Sequence, residues 1–369
     1  MRSRPRILQV LYSFGVGGSE VFGVELARRL AEQDIQVLCG ALDSSPGPLM
    51  QRCTAYGLEV VDLGVPTRHI LGRNGVSLHL TRRLRALRPD AIHLQHFLGL
   101  NKLGLPARLA GVRRIVVTEH SVLDVAQSRA GQFRARLNWR LASMITVVHQ
   151  SIKDYLCGDL GMAPERIEVI PIGIDVERYH RRDRAECRRR LGVGSEIAFA
   201  FIGRLAAVKD VPGLIAAFLA VQPQRPGASR LLVVGDGEGR GACEELIRSH
   251  PCGSRVTLAG EQTDARPFTA AADVFVMNSR SEGTPRALLE AMAMGIPGIC
   301  PAVGGIPDIL RGRGWLTVPR DQQALQAAMQ FVLDNPGEIL AKDALCRDYV
   351  RSHFEAGRIA ERYKQLLVG

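Results

Sequence analysis

Two glutamates eight positions apart, Glu282 and Glu290, flank the predicted start of a helix in the segment SEGTPRALLE. Thr284 is a typical N-cap, and Pro285 suits the first helical position because its missing N–H costs nothing there. The next backbone amides have no carbonyl partner within the helix and can bind an anion. They are those of Arg286, Ala287 and Leu288. Because carboxylates accept hydrogen bonds from vicinal hydroxyls, the segment suits a ligand with hydroxyls on both sides of a phosphate. The alternative is that both glutamates are structural. Glu282 would then be an acid that stabilises the N-terminus of the helix, and Glu290 would be exposed to solvent.

Two cations follow another predicted strand in the segment FIGRLAAVKD. Gly203 allows a tight exit from the strand, and Arg204 and Lys209 lie five positions apart in the loop that leads into the next helix. An arginine fork and a lysine point charge together can hold a diphosphate. The alternative is that each cation forms only a surface salt bridge. The diphosphate interpretation is favoured because this loop and the loop that carries Glu282 both follow strands of one predicted sheet, so they lie at the same sheet edge.

Glycine-rich loops follow three further predicted strands. In FGVGGSE, Gly17 and Gly18 permit close approach of a ligand to the backbone. This loop is not the dinucleotide-binding fingerprint G-x-G-x-x-G, which would require glycine where Glu20 stands. The interpretation of the protein as a dehydrogenase therefore loses its main support. A plain turn is the alternative. Gly235 in VVGDGEGR could bound a base or ribose pocket, and Gly304 and Gly305 precede a short helix in AVGGIPD.

His120 follows a predicted strand in VVTEHSV, and His96 ends another in IHLQHF. A histidine at a strand end can donate a hydrogen bond to a sugar hydroxyl or stabilise a developing charge. A single histidine in this position is more often structural, and that alternative stays open for both residues.

Several classes of protein are excluded. The sequence contains no run of about 18 apolar residues, the length that a membrane-spanning helix needs. The basic N-terminus lacks the cleavage site of a signal peptide. No P-loop, serine elbow, metal-ligand set or aromatic RNA-binding motif occurs. The eight cysteines are scattered without C-x-x-C spacing, which indicates reduced thiols of a cytoplasmic protein. The residues therefore require neither a metal nor a covalent nucleophile.

The positive charge is concentrated in one region. The chain has a net charge of +11, and residues 66–140 contain fourteen Lys or Arg residues and three acids, so this region accounts for the whole excess. Such a region indicates an anionic partner: nucleic acid, a phospholipid surface or a phosphorylated substrate. An arginine-rich solvated surface is the alternative.

The elements that must position these residues alternate between strand and helix, which predicts an α/β protein with doubly wound parallel sheets. The 369 residues suit two domains. The alternation breaks in a charged segment rich in Gly and Pro, and each half opens with a strand, a loop and a helix. We predict a first Rossmann-like domain over 1–172, a linker over 173–195, a second Rossmann-like domain over 196–342, and a C-terminal helix within 343–369 that packs back across the hinge. Ligands of open α/β sheets bind at the carboxyl ends of the strands, so the two domains are expected to face each other across a cleft.

Taken in order, GGSE, GRLAAVK, VVGDGEG, EGTPRALLE with AMAMGIP, and VGGIPD resemble the retaining glycosyltransferases of family 4, the group 1 class with the GT-B fold. The resemblance spans nearly the whole chain, and the spacing of Glu282 and Glu290 matches the E-x7-E signature of the family. The chain departs from the usual pattern at Thr284–Pro285, where an aromatic-Gly pair is common.

The resemblance implies that Arg204 and Lys209 bind the donor diphosphate, that Glu290 binds the ribose, and that Glu282 contacts the transferred sugar. It also implies that Gly17 and Gly18 form a loop facing donor and acceptor. It places His120 near the sugar and the reaction centre. The implied reaction retains the anomeric configuration without a metal, a cofactor or a protein nucleophile. The leaving diphosphate would help to deprotonate the acceptor hydroxyl.

The resemblance leaves three questions open. UDP and GDP are both compatible with the donor motifs, and the acceptor is expected to be a lipid-linked or polysaccharide-precursor glycan. The basic region suggests peripheral contact with an anionic membrane at its cytoplasmic face. A nucleotide-sugar epimerase of the same fold is the first alternative function, and a basic nucleic-acid-binding module is the second.

Overall fold

A computed structural model describes residues 4–65, 77–121, 129–180, 183–224 and 227–369. The chain divides into two compact units: unit 1 comprises Met1–Gly173 and Ala356–Gly369, and unit 2 comprises Ile174–Glu355. Parts of the basic region, with Arg68, Arg73 and the first residue of the predicted helix Val76–Leu87, lie outside the described residues.

Unit 1 is built on a seven-stranded parallel sheet with the order β3-β2-β1-β4-β5-β6-β7. Its strands are β1 Arg6–Ser13, β2 Gln36–Asp43, β3 Glu59–Val60, β4 Ala91–Gln95, β5 Arg114–Glu119, β6 Met144–Val147 and β7 Ile167–Val169. The strand order reverses between β1 and β4, which creates a topological switch point beside the first strand. The described helices are α1 Gly18–Ala31, α2 Pro48–Ala55, α3 Leu78–Leu87, α4 His96–Leu109, α5 Arg129–Asn138 and α6 Gln150–Gly158, and the chain returns to this unit in α15 Ala356–Leu367.

Unit 2 is built on a six-stranded parallel sheet with the order β10-β9-β8-β11-β12-β13. Its strands are β8 Ile197–Ile202, β9 Ser229–Val234, β10 Val256–Leu258, β11 Val274–Val276, β12 Gly298–Pro301 and β13 Trp315–Thr317. Its described helices are α7 Arg184–Arg190, α8 Val211–Val221, α9 Arg240–Ser249, α10 Arg266–Ala271, α11 Arg286–Ala293, α12 Ile306–Leu310, α13 Gln322–Asp334 and α14 Gly337–Phe354. The predicted α/β class with two doubly wound parallel sheets is therefore confirmed. The edge strand β13 was not predicted from the sequence.

We predicted a linker over residues 173–195, but nearly all of this segment belongs to unit 2. It contains α7, whose Arg188 is only 8% exposed. The Arg188 guanidinium donates to the carbonyl oxygens of Gly194 (2.9 Å), Ala271 (3.0 Å) and Glu196, and to a carboxylate oxygen of Asp273 (3.0 Å). The charged segment looks like a linker in the sequence because two of these partners, Ala271 and Asp273, lie more than 80 positions away and are not recognisable there.

The predicted single helix Asp343–Leu367 is instead two helices, α14 and α15, separated at Glu355. Glu355 has an extended backbone with φ −62° and ψ 127°. The carbonyl of Phe354, one of the last in the helix, instead accepts a hydrogen bond from the amide of Ile174 at 2.6 Å. The helix therefore ends where the chain passes from unit 2 to unit 1.

The helix α15 is fastened to the sheet of unit 1 by a buried hydroxyl cluster. The Tyr363 hydroxyl lies 3.0 Å from the Thr118 hydroxyl and 3.1 Å from the Thr146 hydroxyl, and these two hydroxyls are 2.7 Å apart. His93 Nε2 extends the cluster, 2.6 Å from Thr118 Oγ1. Burial raises the pKa of Tyr363 to about 12, so its hydroxyl keeps its proton. Buried polar groups of this kind stabilise a fold only when all are satisfied, so α15 completes unit 1.

Candidate functional site

In unit 2 the predicted cations and Glu282 leave adjacent strands at the switch point of the sheet. Arg204 and Lys209 follow β8, and Glu282 follows β11, which pairs directly with β8. The two loops are joined where the amide of Arg280 donates to the carbonyl of Val208 at 2.8 Å. Ligands of doubly wound sheets bind at this position, so the topology brings three predicted site residues to one edge.

Lys209 and Glu282 form a direct ion pair, with Nζ 2.5 Å from Oε1. The Glu282 side chain is only 8% exposed, and that of Lys209 is 23% exposed. A buried carboxylate is costly without a partner, so Lys209 stabilises Glu282 in this position. The contact between these two residues was not predicted from the sequence, where each had a separate role.

The helix that was predicted after Thr284 begins one residue later than expected. Pro285 occupies the cap position and offers no side-chain cap, and α11 starts at Arg286, so the prediction of Thr284 as N-cap is wrong. Pro285 has φ −70° and ψ 108°, a non-helical conformation that is typical of a cap residue. The first three amides of α11 remain those of Arg286, Ala287 and Leu288. The three amides that we predicted to bind an anion therefore do lie at the start of the helix.

Glu290 lies on the second turn of α11, where Arg286 Nε donates to its Oε1 at 2.7 Å. Tyr179 forms a hydrogen bond with the same carboxylate. Burial and the negative charge of Glu290 raise the pKa of Tyr179 far above its usual range, so the phenol stays protonated and donates. Tyr179 was missed because it lies in the segment interpreted as a linker, and the only available signal was an aromatic residue within a charged run.

Two glycines of unit 2 are required by close packing of one loop on another. Gly235 has φ +136°, and a Cβ there would overlap the carbonyl oxygen of Gly203. Gly304 has φ +54°, and a Cβ there would overlap the carbonyl oxygen of Glu282. Gly235 and Gly203, predicted as donor-binding residues, thus have a structural role in shaping the loops. The lack of a side chain at Gly304 leaves room for the backbone of Glu282.

In unit 1 the loop after β1 places a carboxylate over a glycine. Glu20 folds back over Gly17, so that a Cβ at Gly17 would overlap Glu20 Oε2, and Ser19 Oγ donates to the same oxygen at 2.9 Å. Gly18 begins α1 and has open space where a Cβ would be. The predicted accessibility of the backbone therefore applies to Gly18, whereas the Glu20 carboxylate covers Gly17.

A buried carboxylate organises the ends of β4 and β5. Glu119 is fully buried and accepts hydrogen bonds from the amides of Phe97 (3.0 Å) and His120 (3.0 Å), and His96 Nδ1 lies 3.1 Å from it. His96 has φ +69°, an uncommon conformation for a residue other than glycine. The sequence signal for this cluster was the pair of strand-end histidines, but the role of Glu119 was not predicted.

His120 lies directly after β5 and is partly buried. Its Nε2 is 2.5 Å from the amide oxygen of Gln95, which can only accept, so Nε2 carries the proton. Burial lowers the pKa of His120 well below its usual value, and the charges that His96 and His93 would carry when protonated lower it further. The imidazole is therefore neutral at pH 7 and oriented by Gln95.

Two features are absent from the described residues. Among those residues, no group of three or more His, Cys, Asp or Glu side chains could hold a metal ion. No helix in the described part of the chain is both long and apolar enough to cross a bilayer.

Comparison with known families identifies both halves of the chain. Residues 196–335 match the family described as glycosyl transferases group 1, and residues 16–178 match the family described as glycosyltransferase family 4. The two matched regions together include β8 to β13 and most of unit 1.

Individual relatives give the same result. A D-inositol 3-phosphate glycosyltransferase of Thermobispora bispora is 26% identical over 403 aligned positions, which cover 95% of this chain and 90% of that protein. A protein of the same name from Segniliparus rotundus is 30% identical over 220 residues, covering 56% of this chain and about half (48%) of that protein. HepE of Anabaena, crystallised with UDP, has a TM-score of 0.83 at 20% identity and covers 98% of both chains. At this identity the likeness to HepE shows a common fold alone.

Proposed function

This chain belongs to the group 1 glycosyltransferases, with the GT-B fold, and on that basis we propose its reaction, its donor site and its acceptor. It is a glycosyltransferase that uses a nucleotide sugar. We propose that it transfers a hexosyl group to an acceptor hydroxyl with retention of configuration. Neither a nucleotide-sugar epimerase nor a nucleic-acid-binding module is favoured by the family.

The observation that carries the donor site is the Lys209–Glu282 pair at the switch point of unit 2. In the proposed complex Lys209 and Arg204 bind the diphosphate, and the amides of Arg286, Ala287 and Leu288 face the same anion. Glu290, oriented by Arg286 and Tyr179, accepts hydrogen bonds from the ribose. When the diphosphate binds Lys209, the ion pair between Lys209 and Glu282 breaks. The Glu282 carboxylate then accepts hydrogen bonds from the hydroxyls of the sugar.

The proposed mechanism requires the protein mainly to stabilise charge. As the bond between sugar and diphosphate breaks, negative charge grows on the diphosphate, and preorganised cations and amides stabilise it without reorganisation. The acceptor attacks from the same face, and the leaving diphosphate takes the proton of its hydroxyl. Neutral His120 donates from Nε2 to a sugar hydroxyl in exchange for its bond to Gln95.

Substitution of the two glutamates tests how the donor is divided between them. Glu290→Gln is expected to weaken binding of the bare nucleotide diphosphate and of the complete donor by about ten- to a hundredfold, because hydrogen bonds to a charged group contribute roughly 1.5–3 kcal/mol. Glu282→Gln is expected to weaken the complete donor alone. It frees Lys209, so the bare nucleotide should bind equally well or more tightly. Calorimetric titration with UDP, GDP and their sugars measures each loss.

Glu245→Gln provides the matched control, since Glu245 is an exposed acid on α9 whose ion pair among the described residues is with Arg248 of the same helix. Equal weakening of both ligands by both active-site substitutions would show that the carboxylates support α11 and its loop. The HepE complex contains UDP, which makes UDP sugars the first donors to test. A product formed without any acceptor would instead indicate the epimerase.

Activity is expected to survive a large excess of EDTA, because the proposed charge stabilisation comes from Arg204, Lys209 and backbone amides. The measurement is the initial rate with and without chelator, followed by addition of magnesium or manganese. A complete loss that either metal restores would contradict the metal-independent mechanism.

The acceptor is proposed to be a lipid-linked or polysaccharide-precursor glycan. Two relatives are named for an inositol phosphate acceptor, which also presents hydroxyls beside an anionic group. We place the reaction in the cytoplasm, with the basic region 66–140 in contact with the inner face of the membrane. The excess of positive charge in that region supports this location.

A further inference from the structure

Two cysteines of unit 1 lie in contact between a strand and a helix. Cys39 is on β2 and Cys53 is on α2, and both are fully buried free thiols joined by a hydrogen bond between their side chains. The same short stretch of backbone holds both residues. The amide of Leu58 donates to the carbonyl of Cys53 at 3.0 Å, and the amide of Val61 donates to the carbonyl of Cys39 at 2.8 Å. The two thiols are therefore positioned as a pair.

The two thiols differ in acidity. The hydrogen bond from Cys39 lowers the pKa of Cys53, and the positive charge of Arg52 lowers it too, against the opposing effect of burial. The same hydrogen bond, followed by burial, raises the pKa of Cys39 well above its usual value. Because the thiolate is the nucleophilic form of cysteine, Cys53 is the thiol that reacts first. Cys39 keeps its proton and lies beside it.

The pair lies near one edge of the sheet of unit 1, in short elements. The helix α2 has eight residues, and the neighbouring edge strand β3 has two. Short elements at the edge of a sheet open locally at a lower free energy than the central strands do. Local opening of α2 therefore gives a small oxidant access to thiols that are buried in the closed form.

The helix α2 is fastened to the glycine-rich loop after β1. Gly47, the N-cap of α2, is so close to Phe14 that a Cβ at Gly47 would overlap the carbonyl oxygen of Phe14. The amide of Leu49 donates to the same carbonyl at 3.1 Å. A displacement of α2 is therefore transmitted to the loop that carries Gly17 and Gly18.

We propose that Cys39 and Cys53 are a modification site, at which a hydroperoxide closes a reversible disulfide that a dithiol reductant opens again. The Cys53 thiolate attacks one peroxide oxygen, so an S–O bond forms and the O–O bond breaks. The hydroxide that leaves takes up the proton that Cys53 released, which gives water. The Cys39 sulfur then attacks the sulfenic acid at Cys53, the S–S bond forms, and the hydroxyl leaves as water with the proton of Cys39. Two electrons pass from the thiols to hydrogen peroxide, which becomes two waters.

Closing the disulfide is expected to lower turnover. The sulfur atoms must approach to about 2.05 Å, so α2 moves toward β2 and shifts the loop after β1. This effect rests on the proposed function, in which Gly17 and Gly18 face donor and acceptor. Since a misplacement of about 1 Å can cost about 10²-fold in rate, we expect turnover of the oxidised protein to fall about ten- to a hundredfold and to recover with dithiothreitol.

Peptide mapping of the full chain tests the disulfide without any substrate. The protein is treated with hydrogen peroxide, its remaining thiols are alkylated, and it is digested with trypsin, which cuts between Arg52 and Cys53. Peptide 30–52 then contains Cys39 as its one cysteine, and peptide 53–68 contains Cys53 as its one cysteine. The expected result is a linked pair of these peptides that dithiothreitol separates.

Two variants provide the comparison. Cys53→Ala should abolish the linked peptide and make turnover insensitive to brief peroxide treatment. Cys157→Ser is the matched control, because it removes a partly exposed thiol of α6 and should leave both the linked peptide and the loss of turnover unchanged.

Oxidation of the partly exposed Cys157 and Cys252, with peptides 30–52 and 53–68 still unlinked, would overturn the proposal. A linked peptide with unchanged turnover would reject the effect on the loop, as would an equal loss of turnover in the peroxide-treated Cys53→Ala variant. A reduced protein without transferase activity but with the linked peptide after oxidation would reject the proposed function alone.

Discussion

Arg204→Ala is expected to lower turnover by about 10²–10³, the usual loss when one preorganised charge-stabilising group is removed from an active site. The residue is exposed, and no ion pair to a described carboxylate restrains it, so unit 2 should remain folded. Arg204→Lys keeps the charge without the bidentate fork and should give an intermediate rate. Initial rates at saturating donor and acceptor measure the effect.

The control for this experiment is Arg248→Ala, which removes an exposed arginine at the far end of α9 from the Gly235 loop. Turnover of this variant should equal that of the unchanged protein. Near-normal rates in both Arg204→Ala and Lys209→Ala would reject the assignment of the diphosphate to these cations.

Lys209→Ala is expected to cause two losses at once, because it removes a charge from the diphosphate and leaves Glu282 without its partner. The double variant Lys209→Ala with Glu282→Gln relieves the second loss. We therefore expect its effect on turnover to be smaller than the sum of the two single effects. Strict additivity would show that the ion pair has no functional coupling.

Arg188→Ala is expected to destabilise unit 2 by roughly 3–5 kcal/mol, because it breaks a buried ion pair with Asp273 and leaves carbonyls of Gly194, Glu196 and Ala271 without a donor. Neighbouring Arg190 is 76% exposed in its side chain, and its ion pair within the described part of the chain is with Glu186 on its own helix. Arg190→Ala is therefore a matched control, with a change within about 0.5 kcal/mol.

Denaturant unfolding followed by circular dichroism measures both variants, with the midpoint compared at equal slope. Equal stability of the Arg188 and Arg190 variants would show that the segment 184–190 is the loosely attached linker that the sequence indicated. A loss confined to Arg188 would establish the segment as part of the core of unit 2.

The sequence could predict those features that depend on local pattern and on the direction of parallel strands. Arg204 and Glu282 are 78 positions apart, yet both follow strands, and the carboxyl ends of parallel strands meet at one edge. The positions of the α11 amides were also predictable, although the cap lies at Pro285 rather than Thr284.

The remaining features depend on contacts between distant residues, which local pattern does not encode. The charge of Arg188 suggested solvent until Asp273 and three carbonyls were found around it. Tyr179 became a partner of Glu290 only through the folding of a segment that looked irregular. The left-handed backbone of His96 likewise depends on the buried Glu119.

The return of the chain to unit 1 in α15 has a consequence for the order of folding during synthesis. The hydroxyls of Thr118 and Thr146 find their partner in Tyr363, which the ribosome adds only after the whole of unit 2. Unit 2 is continuous in sequence and can fold as soon as it emerges. The half of the protein that is made first is therefore completed last, and its sheet carries an uncovered polar cluster while the other half is being made.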